Sequence, residues 1–249
     1  MGIQDRTALI VGASGGIGRA VAAALVGAGA RVALVGRDGD KLEATRASLD
    51  VSGERAQVFP CDITDRAAVG DMVSAVLSSL GSIQMLVNAA GLNVRNRSLR
   101  AIDPADWDRV IAANLTAAFN LIHFVVPAMR ERGDGLVIQI SSLSGLRAST
   151  VAGAAYSASK FGEAALGLTL GREERGRNIR STVLYPGEVD TPFLDVRAVR
   201  PGGAEGKPQR REGILKPEDV AAAVLFLAAL PPRAHVPELV LKPTIDDFS

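Results

Sequence analysis

Hydrophobic positions in the chain fall into two alternating kinds of segment. Short apolar runs occur at Ala8–Val11, Val32–Val35, Gln57–Phe59, Met85–Val87, Leu136–Ile140, Thr182–Tyr185 and Glu238–Leu241. They are rich in Val, Ile and Leu with little polar alternation, which suits strands buried on both faces of a parallel sheet. Between them, apolar residues recur at helical spacing and predict helices near 17–28, 38–49, 65–80, 104–130, 155–175 and 217–229. Asp103-Pro104 and Lys216-Pro217 put proline at or near a first helical position, where its missing N–H costs nothing. Thr64 is expected to cap the helix that follows it. The alternation predicts an α/β fold: one Rossmann-type domain over 1–249, a doubly wound parallel sheet of about seven strands flanked by helices.

Thr191 to Lys216 breaks the alternation. It holds five Gly or Pro between Pro201 and Pro208, together with Arg197, Arg200, Arg210 and Arg211. Such a segment is a surface insertion or a lid. Its place after a strand end, where ligands of this fold class bind, favours a lid, and we read it as a substrate-loop insertion near 192–215.

Composition narrows the partners. The 249 residues are 47% hydrophobic and 22% charged, which excludes a disordered or low-complexity chain. The formal net charge of +1 gives no electrostatic footprint for nucleic acid or an anionic membrane. Val110 to Met129 lacks formal charge, yet it contains Asn114, Thr116, Asn120, His123 and Pro127 and reads as a core helix rather than a membrane span. A single cysteine, Cys61, and charges at Asp5 and Arg6 where a signal peptide would turn apolar fit a cytoplasmic protein. Cys61 itself reads as a small core filler.

Several residues carry chemistry. Gly12-Ala13-Ser14-Gly15-Gly16-Ile17-Gly18 follows the first strand and opens a helix. Glycines there permit a tight turn and close approach of a phosphate to unpaired N–H groups at the helix N-terminus. Trp107, Ile111, Leu115, Ala118, Phe119 and Ile122 form an apolar stripe with Asn114 beside it, and a buried amide needs a partner. Tyr156 and Lys160 are four apart, so on a helix they share a face, and a neighbouring ammonium favours phenolate. Ser141, Ser142 and Ser144 follow the fifth strand at the sheet's carboxyl edge, where ligands bind. His123 and His235 lie away from such edges, which disfavours a Ser-His-Asp hydrolase. Gly36 then Arg37 close the second strand, where an enzyme using NAD usually places an acid that bonds the ribose and repels a 2′-phosphate; a small residue and a guanidinium fit NADP better.

Taken together, Gly12, Gly16 and Gly18, Asp62, Asn88-Ala89-Ala90-Gly91, Asn114, Ser142, Tyr156-x-x-x-Lys160 and Pro186-Gly187-x-Val189-x-Thr191 resemble, in order and spacing, the short-chain dehydrogenase/reductase family over nearly the whole chain. The resemblance implies an oxidoreductase that moves a hydride between a nicotinamide and a small alcohol or carbonyl, here carbonyl reduction with NADPH, NAD being the less favoured cofactor. It assigns the proton to Tyr156, its activation and a ribose contact to Lys160, the substrate oxygen to Ser142, and a helix kink and water relay to Asn114. Gly12, Ser14, Gly16, Ile17, Gly18, Arg37, Asp62, Ile63, Asn88, Gly91, Pro186, Gly187, Val189 and Thr191 would line the cofactor, with Asp62 and Ile63 flanking adenine and Thr191 meeting the nicotinamide amide. Trp107–Met129 carries more apolar surface than one helix face needs, and the segment after Tyr156 is likewise small and apolar through Leu170, so a homo-oligomer, dimer or tetramer, is expected through these two helices; the resemblance favours the tetramer. A regulatory protein that senses the nucleotide without chemistry is the alternative; such relatives usually lose the Tyr or the Lys, and this chain keeps both. A dehydratase or epimerase on the same scaffold is a third reading. Arg95, Arg97 and Arg147 could meet an anionic substrate, but solvated surface is the favoured reading.

Overall fold

In a computed structural model of the chain, whose described residues are 2–49, 51, 54–197 and 212–246, seven parallel strands form one sheet. They are β1 (Thr7–Val11), β2 (Arg31–Gly36), β3 (Ala56–Pro60), β4 (Met85–Asn88), β5 (Gly135–Ile140), β6 (Ile179–Pro186) and β7 (Glu238–Leu241), in the order β3-β2-β1-β4-β5-β6-β7. Each expected apolar run is a strand. Side chains alternate between faces. Ala8, Ile10, Leu34 and Ile138 pack under α1 (Gly16–Gly27) and α8 (Pro217–Ala229). Leu9, Val11, Val35 and Val137 pack under α3 (Arg66–Leu80) and α5 (Ala117–Arg132). Both faces are covered, which explains the continuous apolar runs.

The remaining helices are α2 (Gly39–Ser48), α4 (Pro104–Ile111), α6 (Ala154–Glu173) and α7 (Phe193–Arg197). Proline does open α4 and α8. The cap of α3 differs from expectation. Asp65 caps it, its carboxylate accepting from Ala67 N (2.9 Å) and Ala68 N (3.2 Å), while Thr64 Oγ1 donates to Asp62 (2.8 Å). A carboxylate one residue closer to the helix reaches the N2 and N3 amides that Thr64 cannot.

The helix expected over 104–130 is also different. A single wide π turn, Ala112–Thr116, separates α4 from α5. The inward stripe therefore runs through Val110, Asn114, Ala118, Leu121, Val125 and Met129, all buried. Asn114 is in the buried stripe and not beside it, and Phe119, expected inward, is 41% exposed. The stretch Pro104–Arg132 is long and apolar enough to cross a bilayer by length and composition. In this fold it lies against α3 and β5 with Asn114 and Asn120 buried and hydrogen-bonded. Cys61 is buried beside β3, and burial pushes its thiol up to about 11.

Candidate active site

The carboxyl ends of β1, β4, β5 and β6 supply most of the residues singled out in the sequence. After β1 the chain turns sharply at Gly12, whose φ of +78° favours glycine and whose N–H donates to Val35 O (2.9 Å) on β2. A Cβ on Gly18 would lie 2.2 Å from Gly12 O, so the first turn of α1 sits against the loop with no room for a side chain. The N-cap of α1 is Gly15, which has no side chain to cap the first-turn amides. Ser14 Oγ lies near Gly36, 3.5 Å from where a Cβ would stand there. Ile17 is half-buried against the core. This cradle, with open amides and a positive helix end, suits a phosphate group.

Arg37 is exposed at the end of β2. Its neighbour Asp38 caps α2, accepting from Lys41 N (3.1 Å). Asp62 is held below the usual carboxylate range, first by bonds from Thr64 N (3.0 Å) and Thr64 Oγ1 (2.8 Å) and further by the charge of Arg37. Ile63 is half-buried, its carbonyl accepting from Asn120 Nδ2 at 3.3 Å. Gly91 lies beside Lys160, whose Nζ would be 3.9 Å from a Cβ there.

The π turn places Asn114 where its amide is fully used. Asn114 Oδ1 accepts from Leu92 N (2.7 Å), and Nδ2 donates to Leu92 O (2.9 Å) and Ser159 Oγ (2.9 Å). Ser159 in turn donates to Tyr156 O (2.8 Å). Tyr156 and Lys160 lie on one face of α6, both buried, with Nζ 5.9 Å from the Tyr156 ring centroid. Lys160 Nζ donates to Ile140 O (3.0 Å) and to Glu163 Oε2 (2.6 Å). Among the three serines, Ser141 Oγ donates to Lys160 O (3.1 Å) and is spent on structure. Ser142 Oγ accepts from Ser144 N (3.1 Å), which uses a lone pair and leaves its proton for an acceptor.

The start of the segment after β6 packs beside the glycine turn and Tyr156. A Cβ on Gly187 would lie 2.7 Å from Pro243 Cδ, and Val189 bridges to Leu215. Thr191 reaches the glycine turn, its Cγ2 2.7 Å from a Cβ built on Gly16. Phe193, opening α7, packs its ring 5.7 Å from that of Tyr156. Most of the expected lid, 198–211, lies outside the described residues.

Five side chains were missed in the sequence. Arg97 is not solvated: it is 2% exposed, and its Nε donates to Val151 O at 2.5 Å. With Asn93 Nδ2 on Ala152 O (3.0 Å), it fastens the loop after β4 to the loop before Tyr156. Glu163, Gln139 and Ser159 are buried partners of the expected site residues. Glu163 had a signal, being the lone charge in the apolar run Phe161–Leu170 and three residues from Lys160.

Comparison with known proteins agrees with this geometry. A family model described as short chain dehydrogenase matches residues 6–199. The chain is 32% identical over 241 residues to 2,3-dihydro-2,3-dihydroxybenzoate dehydrogenase of Bacillus subtilis, covering 92% of this chain and 90% of that protein. It is 35% identical over 246 residues to glycine betaine reductase ATRR of Emericella nidulans, covering 97% of this chain but spanning only 19% of that longer protein. A crystal structure of a metagenomic short-chain oxidoreductase in complex with NADP is similar with a TM-score of 0.81 and 32% identity, over 98% of this chain and 99% of that one. An all-parallel sheet, a glycine turn at its first strand end, a buried Tyr–Lys pair and a family match over most of the chain lead to one conclusion: the chain belongs to the short chain dehydrogenase family of oxidoreductases.

Proposed function

We propose that the protein is an NADPH-dependent reductase of small carbonyl compounds. The observation that carries the reading is the buried pair of Tyr156 and Lys160 at the carboxyl edge of the sheet, beside a glycine cradle built for a phosphate. The cofactor, when bound, supplies the hydride. Gly12, Ser14, Gly16, Ile17 and Gly18 hold its phosphates, Asp62 and Ile63 its adenine, and Asn88, Gly91, Pro186, Gly187, Val189 and Thr191 its remaining length. Tyr156 gives the proton to the substrate oxygen, and the Lys160 ammonium favours the negative charge left on the phenol. Ser142 donates its free O–H to that same oxygen. Asn114, with its side chain fully bonded, fixes the approach of the Leu92 backbone and, through Ser159, the first turn of α6. The sheet runs unbroken through seven strands, which supports one domain; the insertion read near 192–215 falls mostly outside the described residues. A panel of aldehydes and ketones assayed with NADPH by absorbance tests the reading; tight NADPH binding without turnover on any of them would favour a nucleotide sensor instead.

Cofactor choice rests on Arg37. Exposed at the end of β2, with Asp38 turned to cap α2, it is the charge available for a 2′-phosphate. A charge-assisted contact of this kind is worth about 1.5–3 kcal/mol, so Arg37→Ala should weaken NADPH about 10- to 100-fold and leave NADH nearly unchanged. Equal losses for both cofactors in a binding titration would overturn the assignment.

The assembly reading is supported by apolar surface on α5 and α6. Phe119 and Phe161 are 41% and 43% exposed, and Phe119 stacks on His123 with ring centroids 5.7 Å apart. Arg66 lies over the Phe119 ring, 5.5 Å from its centroid, and a symmetric partner would cover what it leaves exposed together with Phe161. Light scattering at micromolar concentration should give a dimer or tetramer; a monomeric mass would reject it.

A further inference from the structure

Helix α6 buries a second charge one turn after Lys160. Glu163 is fully buried, and its Oε2 lies 2.6 Å from Lys160 Nζ, whose side chain is itself 2% exposed. The other carboxylate oxygen accepts from Asn88 Nδ2 at 3.3 Å. Asn88 also donates to Gln139 Oε1 (2.8 Å) and accepts from Ala90 N (3.2 Å). Through these bonds β4, β5 and α6 meet at the point where the lysine enters the cleft.

A surface pair at this spacing would need no explanation. A buried one does, because removing two ions from water is costly and an apolar pair would pack without that cost. Along the buried face of α6, Glu163 follows Ser159 and Lys160 and precedes Gly167 and Leu170, so a charge is not demanded by the helix itself. What the carboxylate provides is a fixed counter-charge for one ammonium. Burial pushes its carboxyl up to about 6, with Lys160 pulling the other way. The polar groups around the pair from neighbouring elements are amides: Asn88 from β4 bonds Glu163 itself, Gln139 from β5 bonds Asn88, and Asn114 from the π turn bonds Ser159, the residue before Lys160. On its own helix stands Tyr156. From β6 comes Tyr185, whose hydroxyl is turned to Glu238 (2.8 Å), and on α4 Asp106 and Arg109 pair with each other at the surface.

We propose that Glu163 is a positioning residue for the reaction: it holds the Lys160 ammonium at the carbonyl end of β5 and keeps it charged, so that it meets cofactor and Tyr156 from a fixed point. This rests on the reading of Lys160 given above. The test follows NADPH affinity by fluorescence titration of the full chain between about pH 6.5 and about pH 9.5. The parent should bind with a flat profile. Glu163→Gln keeps the size and removes the charge, leaving the buried ammonium one counter-charge fewer and easier to deprotonate. Its affinity should match the parent within about threefold at the acid end and fall by about tenfold or more at the alkaline end, following one ionisation. Adding Lys160→Met should abolish that pH dependence and leave binding weak throughout. Glu163→Asp keeps the charge one methylene short, so it should stay flat but bind more weakly, and it serves if the Gln variant does not fold. A Gln variant that tracks the parent at every pH, a pH dependence that survives the loss of Lys160, or an Asp variant indistinguishable from the parent would each overturn the proposal. A double variant that binds NADPH as tightly as the parent would instead fail the reading of Lys160, and the role of Glu163 with it.

Discussion

Tyr156→Phe is expected to lower turnover by about 10² or more, the scale of a lost general acid, while leaving the fold and NADPH binding intact. The change removes one hydroxyl and almost no volume. The ring is 5% exposed and keeps its contact with Phe193, so packing is preserved. The cofactor contacts assigned to the glycine turn, Arg37 and Lys160 are untouched. Single-turnover reduction of an active carbonyl, with NADPH binding measured in parallel, separates the two effects. A variant that keeps most of its rate would show that another group supplies the proton.

Lys160→Met should do more damage than its loss of chemistry suggests. Turnover and NADPH affinity should fall together, and the protein should also lose about 3–5 kcal/mol of stability, because Glu163 is left buried without its 2.6 Å partner. The loss should depend on pH. Burial already raises the Glu163 carboxyl to about 6 with the ammonium present, and without it the rise is larger. A carboxyl whose folded pKa lies above its unfolded one stabilises the fold at low pH, where it is protonated in both states. That contribution disappears as pH climbs through the folded value. Denaturant titrations at about pH 5 and about pH 8 should therefore show the smaller deficit at the lower pH. Equal deficits at the two values would mean that the carboxylate is not carrying the effect.

The parts of this molecule written in local spacing were readable from the sequence. All seven strands were legible as apolar runs; the five inner ones are covered on both faces and have few polar residues to obscure them, while the edge strands β3 and β7 are only partly buried and were legible from their Val, Phe and Leu content. The glycine turn and the Tyr156/Lys160 spacing were legible as local patterns too. What was lost depended on contacts far along the chain or on small geometric irregularities. The π turn at Ala112–Thr116 is one irregular turn inside an otherwise smooth apolar helix, and it moved Asn114 from the flank of the stripe into it. Arg97 and Glu163 are charged, and composition places such residues at the surface. Hydrogen bonds to the carbonyls of Val151 and Arg95 make the burial of Arg97 tolerable, and the Lys160 ammonium with the Asn88 amide does so for Glu163. Thr64 and Asp65 are both good caps, and the choice between them turns on which side chain reaches the free amides of α3.

The strand order carries a consequence for how the molecule comes into being. Every ladder is parallel, so no neighbouring pair can zip up from a tight turn. The junction between β1 and β4 is the most demanding, since it matches Ala8 with Met85 after β2 and β3 have already been laid down on the other side of β1. Gln84 Oε1 accepts from Thr7 N across the same junction at 2.8 Å. The cradle for phosphate belongs to the strands on one side of this seam, and the tyrosine, lysine and serine belong to those on the other. Pairings so distant in sequence are slow to find, because loop closure precedes any reward from contact. A nascent chain released before β4 can thus build the cradle's strands but none of the chemistry. The cleft exists only once the seam is shut, and a dinucleotide lying across both halves would act as a clasp on the joint with the longest span of chain between its strands.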